Sequence, residues 1–302
     1  MKFSRAVLGV VAAIFLAAWT HGSTSVWYSV WNQANLVDGD LHVLMSNDGH
    51  SFFVRSSYVK YVPHDSTMCG IPAIMFNSGK LWVLCSQGIT LAWTGTTIEI
   101  ASSSDGDNYT YVASVSFSDV AIGAHPEVWG TSWFVDSDAS VHIIAIVTAD
   151  STASPDIFVL YEKHCTDMTF SSCSASTQMT GTALPNSMID GRIIKIGSTY
   201  NLFYKNETVG SHYVEVASST SLTSGYTVIE SGNWAGWGQN LEAPDPVGLG
   251  GNNWRIYLDP LGGGMRWSES TTGLFGTWTA PVSVTSPISL QHGSVIPNPV
   301  GG

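Results

Sequence analysis

Short apolar runs separated by small polar residues fill most of the chain. Leu41–Met45, Leu81–Leu84, Val141–Val147, Tyr200–Tyr204 and Trp254–Leu258 are bounded by Gly, Asn, Asp and Ser. Such runs predict β-strands, because β-branched and aromatic side chains fit a pleated surface and the flanking residues fit turns. Beyond the N-terminal segment no stretch keeps a helical period through three turns, so the expected fold class is all-β. The N-terminal segment differs: Lys2 and Arg5 precede a run of thirteen residues, Ala6–Ala18, and small polar residues follow. That run is too short to cross a bilayer. Its order of charge, apolar run and small residues predicts a secretory signal over 1–22 and a secreted, extracellular mature chain off the membrane.

The strand pattern repeats. The turn Ser46-Asn47-Asp48-Gly49 before Phe52 recurs as Ser103-Ser104-Asp105-Gly106 before Tyr109. Degenerate copies lie at Ser219–Tyr226 and Ser268–Trp278, and the Cys165–Cys173 loop stands where a further copy is due. A second element opens a longer apolar strand: Ile71-Pro72, His125-Pro126, Asp190-Gly191, Glu242-Ala243-Pro244 and His292-Gly293, with first residues 54, 65, 52 and 50 apart. Units of about fifty residues with four short strands each predict a five-bladed β-propeller, with 23–302 as a single domain. The last unit starts at His292 with few residues left, so its outer strands must come from Val26–Val54. Pairing the N- and C-terminal strands would close the ring and remove an open edge. A two-sheet sandwich leaves the fivefold recurrence without a cause.

Composition narrows the function. Of 302 residues only 11% are charged, with 23 acids against 11 bases, beside 30 Gly, 12 Trp, 11 Tyr and 11 Phe. A helical bundle or a disordered chain would not look like this. With so few bases there is no face to neutralise phosphates, so nucleic acid is excluded as a partner. Four cysteines in an exported chain suggest two disulfides. Cys69 and Cys85 flank a predicted hairpin, and Cys165 and Cys173 close a short loop. Asn108-Tyr109-Thr110 and Asn206-Glu207-Thr208 are N-glycosylation sequons.

In a propeller the first residues of the inner strands crowd one mouth of the central channel. The expected heads are therefore Ile71, His125, Asp190, Glu242 and His292, four of them titratable in a chain poor in charge. A convergent ring of that kind is a site hypothesis. These residues also carry a resemblance. Ile189–Lys205, Leu241-Glu242-Ala243-Pro244-Asp245 with Trp254–Asp259, and Gln291-His292-Gly293-Ser294-Val295 resemble, in order, blades three, four and five of glycoside hydrolase family 43 and the wider arabinanase-like group.

That resemblance implies an inverting hydrolase, in which one carboxylic acid protonates the leaving oxygen while a second carboxylate activates water. Glu242 matches the general acid, Asp190 the carboxylate that tunes it, and His292 the central histidine that holds a water or a calcium ion. No cofactor is required; a structural calcium in the channel is the one metal implied. The departure is at blade one, where the family has an Asp before the proline and this chain has Gly70-Ile71-Pro72. Three explanations stand: a carboxylate such as Asp65 or Glu127 replaces the base, His125 acts as base in hydrolysis or in a lyase reaction on a uronic acid, or the propeller binds glycan without cleaving it.

Sugar rings pack on flat aromatic faces. Trp234 and Trp237, in the loop entering the Glu242 head, and Trp129 and Trp133, after His125, are the expected substrate platform. The chain has no Gly-x-Ser-x-Gly elbow, phosphate-cradling loop or paired metal-ligand motif. The expectation is thus a secreted, monomeric, exo-acting glycosidase that takes arabinose, xylose or galactose from polysaccharide side chains, with the lyase and the non-catalytic glycan binder as alternatives.

Overall fold

In a computed structural model, residues 27–33, 39–54, 59–64, 68–88, 95–154, 156–208, 210–261 and 264–297 are described, and the signal segment expected at 1–22 lies outside them. Among the described residues the apolar runs form strands and no helix. The strands β1 (Trp27–Gln33), β2 (Leu41–Ser46), β3 (Phe52–Phe53) and β4 (Val59–Tyr61) come first in the chain and belong to its last blade. Blade one is β5 (Met68–Asn77), β6 (Lys80–Gly88), β7 (Thr97–Ser103) and β8 (Thr110–Ser116). Blade two is β9 (Glu127–Val135), β10 (Val141–Thr148), β11 (Val159–Cys165) and β12 (Thr177–Gln178). Blade three adds a short parallel strand, β13 (Gly181–Thr182), to β14 (Met188–Ile196), β15 (Thr199–Asn206), β16 (Val214–Ser219) and β17 (Tyr226–Glu230). Blade four is β18 (Leu241–Gly250), β19 (Asn253–Pro260), β20 (Arg266–Ser270) and β21 (Val282–Ser283). Blade five is β22 (Leu290–Ile296) followed by β1, β2 and β3, with β4 also on β2.

The ring closes as expected. β1 pairs antiparallel with β22 from Tyr28↔Ile296 to Gln33↔Leu290, so both chain ends share one sheet. The inner strands β5, β9, β14, β18 and β22 each contact the next around the channel. Both faces of each blade are covered by its neighbours, which is why β10 reads almost continuously buried rather than alternating. The cores lie between blades: Leu84, Ile98, Val128 and Ile143 between one and two, for example, and Phe203, Val216, Ile256 and Leu258 between three and four. Cys69 bonds Cys85 and Cys165 bonds Cys173, as the spacing suggests. In strict register Cys69 faces Gln87 and not Cys85.

The repeated serine pins its turn. Ser46 Oγ accepts from Gly49 N–H at 2.8 Å, and Ser103 Oγ accepts from Gly106 N–H at the same distance. Asp48 and Asp105 then accept the following amides, a side-chain substitute for a backbone turn. In the degenerate copies the serine still accepts a following amide, of Ser221 and Thr272, but donates to a backbone carbonyl, Ser219 Oγ to that of Ser224 and Ser270 Oγ to that of Gly273.

One such turn also locks blade five to blade four. Arg255 donates to the Asp48 carbonyl at 2.7 Å and to Glu269 Oε1 at 2.9 and 2.6 Å. Its guanidinium lies 4.8 Å from the Trp27 ring and 5.7 Å from the Trp267 ring. Gly49 is required here: its φ is +71°, and a Cβ would sit 2.0 Å from the Arg255 guanidinium. A planar fork makes these contacts together and an ammonium cannot. Arg255→Lys is expected to cost ~2–4 kcal/mol and to lower the melting temperature by several degrees. An unchanged melting temperature would show that Arg255 does not clamp the closure.

Candidate functional site

Each inner strand carries a bulge near the mouth of the channel. The register skips after Gly70, Trp129, Ile189 and Glu242 in blades one to four, and at His292 in blade five. At four bulges a non-glycine residue takes positive φ: Ile71 (50°), Asp190 (57°), Ala243 (48°) and His292 (34°). At the fifth, Gly130 is the skipped residue. The heads are therefore Ile71, Gly130, Asp190, Ala243 and His292.

This corrects two expected heads. Glu242 is the residue before the bulge, not the bulge itself. His125 lies two residues before β9 begins, is exposed, and pairs with Asp150 at 3.1 Å. The His125-Pro126 pair mimics Ile71-Pro72, yet the distance to the next hairpin turn is what defines a head. Ile71 and Asp190 stand seven residues before Ser78 and Gly197, and the same count back from Ser137 gives Gly130. Glu127 is buried, and burial together with Asp156 raises its carboxyl above the usual range. Asp65 lies outside the described residues.

Asp190, Glu242, Asp259 and His292 do converge. Asp190 Oδ2 accepts the Ala243 amide at 2.9 Å, beside Glu242. Glu242 Oε2 accepts from Lys205 Nζ at 2.8 Å, and Glu242 Oε1 lies 3.7 Å from His292 Nε2. Asp259 Oδ2 accepts the His292 amide at 2.7 Å and stands 3.5 Å from Nδ1 of the same ring. Burial, reinforced by the Glu242 charge, pushes Asp190 up to about 6. Burial pushes Asp259 up to about 6 as well, against the pull of His292. For His292 burial works against the proton, but the charges of Asp259, Asp190 and Glu242 outweigh it and hold the imidazole above its ordinary value. Carboxylic acids near pH 6 beside a second carboxyl group are the arrangement acid–base chemistry uses.

A small pocket opens beside this cluster, lined by Ile71, Asp190, Arg192, Ala243 and Asp245 among others. Arg192 Nη2 meets Asp245 Oδ1 at 2.5 Å and Ser294 Oγ at 2.9 Å. Asp245 also accepts the Val295 amide. Ile71 shares the pocket with Asp190, and its amide donates to Asn32 Oδ1 at 2.7 Å.

The tryptophans are placed differently from expectation. Trp133 and Trp237 are buried, Trp133 against Phe170 and Trp237 with Nε1 on Ser268 Oγ, so neither offers a face to a sugar. Trp129 is half-buried on Phe158, and Trp234 is half-buried with Nε1 on the Val214 carbonyl. A propeller of this size has several interblade cores to fill, and they take most large aromatics. Lys205 and Asp259 were missed as site residues. Each is a charged residue near the end of an apolar strand, Leu202-Phe203-Tyr204-Lys205 and Ile256-Tyr257-Leu258-Asp259, and that matching position was the available signal.

Donor atoms of Glu242, Asp259 and His292 lie within 4.8 Å of one another. The set does not suit the calcium that the resemblance implies. Calcium wants six to eight oxygen ligands, whereas this set offers an imidazole and two carboxyls, one already held by the Lys205 ammonium.

Neither a protein-family model nor a curated protein sequence matches the chain. Solved structures do. An endo-1,4-β-xylanase from Bacteroides thetaiotaomicron superposes with a TM-score of 0.60 at 11% identity, over 89% of this chain and 93% of that one. The catalytic domain of a family 62 α-L-arabinofuranosidase from Coprinopsis cinerea gives 0.51 at 12%, over 72% and 73%. A glycoside hydrolase family 43 enzyme from Xanthomonas citri, complexed with xylotriose, gives 0.53 at 9%, over 72% and 73%. The fold is thus that of the five-bladed glycoside hydrolase propellers of families 43 and 62.

The buried cluster sets a pH dependence. Asp190 and Asp259 hold protons in the folded state up to about pH 6, while unfolded carboxyls release them near pH 4. Their stabilisation is full below pH 4 and is lost as pH rises to 6; His292, also raised, extends the loss to higher pH. Lowered carboxyls such as Asp136, at about 2, act below that window. The melting temperature should fall between pH 4.5 and 7. In Asp190→Asn, which keeps an acceptor for the Ala243 amide, it should fall less steeply. Parallel slopes in the two proteins would refute this assignment.

Proposed function

We propose that the protein is a secreted glycoside hydrolase that removes a terminal arabinose, xylose or galactose unit from polysaccharide side chains, with Glu242 as general acid. The carrying observation is the convergence of Glu242, Asp190 and His292 beside a pocket with the Arg192–Asp245 pair in its wall. In the reaction Glu242 gives its proton to the leaving oxygen as the glycosidic C–O bond breaks. Water adds to the anomeric carbon, and its proton passes to a base. Asp190 lies close enough to Glu242 for the two charges to interact, and with burial this raises the Asp190 carboxyl. The proposed sugars are those named for the structural neighbours, which include an α-L-arabinofuranosidase, a xylanase and a β-1,3-galactosidase.

Ile71 favours a second reading. It lines the pocket where the resemblance calls for the base, and it accepts no proton. A propeller with this cluster and no base would bind a glycan end without cleaving it. The lyase reading draws no such support, since it needs an imidazole at the head of blade two and His125 is not there.

Turnover of side-chain polysaccharides, with product identification, separates these outcomes. Glu242→Gln is expected to lower the release of reducing sugar at least ~100-fold while the melting temperature changes little, because Glu207 keeps Lys205 paired. A fully active Glu242→Gln would remove Glu242 from the chemistry. Saturable glycan binding without product would establish the binding module.

A further inference from the structure

The candidate acid is gripped by a buried cation. Lys205, 4% exposed, donates to Glu242 Oε2 at 2.8 Å and pairs with Glu207 Oε1 at 2.7 Å. Burial opposes its charge, but Glu242 and Glu207 hold the ammonium above its ordinary value. Glu207 is itself met by His212 Nδ1 at 3.5 Å, and His212 takes an unfavourable φ of 53°. The loop between β15 and β16 is tied to the entry of β18 as well. Asn240 N–H donates to the His212 carbonyl at 2.9 Å, and Gln239 Nε2 donates to the Ser211 carbonyl at 2.7 Å. Glu242 follows two residues later. One loop therefore fixes both the backbone before Glu242 and the ammonium on its carboxyl.

We propose that Lys205 is a positioning residue for Glu242. It binds Oε2, so that Oε1, the oxygen facing His292, is the one that carries and donates the proton; Glu207 and His212 set the place of the ammonium. The inference rests on the reading of Glu242 as general acid. When Glu242 loses its proton, a carboxylate forms in a buried site that already holds Asp190 and Asp259, with His292 as the titrating cation and Lys205 as the permanent one. Lys205 stabilises the charge that develops as the proton leaves, which is the charge the transition state carries and the ground state does not. Its effect must therefore scale with how much acid assistance the leaving group needs.

The test uses aryl glycosides of arabinose, xylose and galactose. On phenyl glycosides, which need protonation, Lys205→Met is expected to lower kcat about 100-fold with KM nearly unchanged. On dinitrophenyl glycosides, which leave without it, the loss should be about threefold or less. Lys205→Arg, which keeps the charge, should recover part of the loss. Equal losses on both leaving groups would mean a structural role and would overturn the inference. Should Lys205→Met not fold, Glu207→Gln removes the second anchor of the ammonium and should give the same leaving-group dependence at about 10-fold.

A second measurement needs no turnover. In protein labelled with carboxyl-¹³C glutamate, the resonance that disappears in Glu242→Gln should move in Lys205→Met and return towards its position in Lys205→Arg. An unmoved resonance overturns the inference whatever the activity. A moved resonance in a protein that cleaves nothing would keep the pairing and sink the hydrolase reading instead.

Discussion

The pairing of β1 with β22 is the contact on which the ring depends. Each blade of a propeller is stabilised only by its two neighbours, so an open ring would expose one sheet face at each end and an unpaired edge. β1 covers both faces of that gap: Val30 packs towards blade one and Trp27 and Trp31 pack towards blade four. It reaches into the site as well. Asn32 donates to the Cys69 carbonyl at 2.9 Å and accepts the Ile71 amide at 2.7 Å, so the head of blade one is set by a residue of blade five.

Five strands converging on one channel cannot all keep a straight ladder, and the bulges at the heads are where the ladder gives way. Holding a non-glycine residue at positive φ costs ~1–3 kcal/mol, so such a residue persists only where the surroundings over-determine it. The determinant recurs here. Each of three bulge amides donates to a side chain of the preceding blade: Ile71 to Asn32, Ala243 to Asp190, and His292 to Asp259. Asn32 shows that a neutral acceptor satisfies such an amide. At the two bulges flanking Glu242 the acceptor is instead an aspartate, buried at a cost that appears as a raised proton affinity. Satisfying the amide alone does not require that choice, as Asn32 shows.

The architecture was legible because its signals repeat. Turn serines, apolar strands and head elements recur at blade spacing, so errors in single elements did not matter. The head positions of Asp190 and His292 were legible for the same reason. His125 misled because a proline after a polar residue looks like a head, while the true head of blade two, Gly130, carries no side chain to mark it. Trp133 and Trp237 misled because loop and strand tryptophans look alike in sequence whether they face a pocket or an interblade core. Lys205 and Asp259 lie on second strands, and a periodicity of two leaves open which face of a blade meets the channel cluster.

Two polar layers lie along the channel, and they differ in balance. In one, Arg192 and Asp245 neutralise each other at 2.5 Å, with Ser294 and the Val295 amide completing the set. In the other, Asp190, Glu242, Asp259 and Glu207 face Lys205 and His292. Acids outnumber cations there, and the excess is held as protons on buried carboxyls near pH 6 rather than as charge. The acidic excess of the whole chain says little about this, because Asp48, Asp105 and Asp136 spend their charge on turns and surface pairs. Of the unbalanced acids Asp190 lines the pocket, where it shares the wall with the apolar side chain of Ile71.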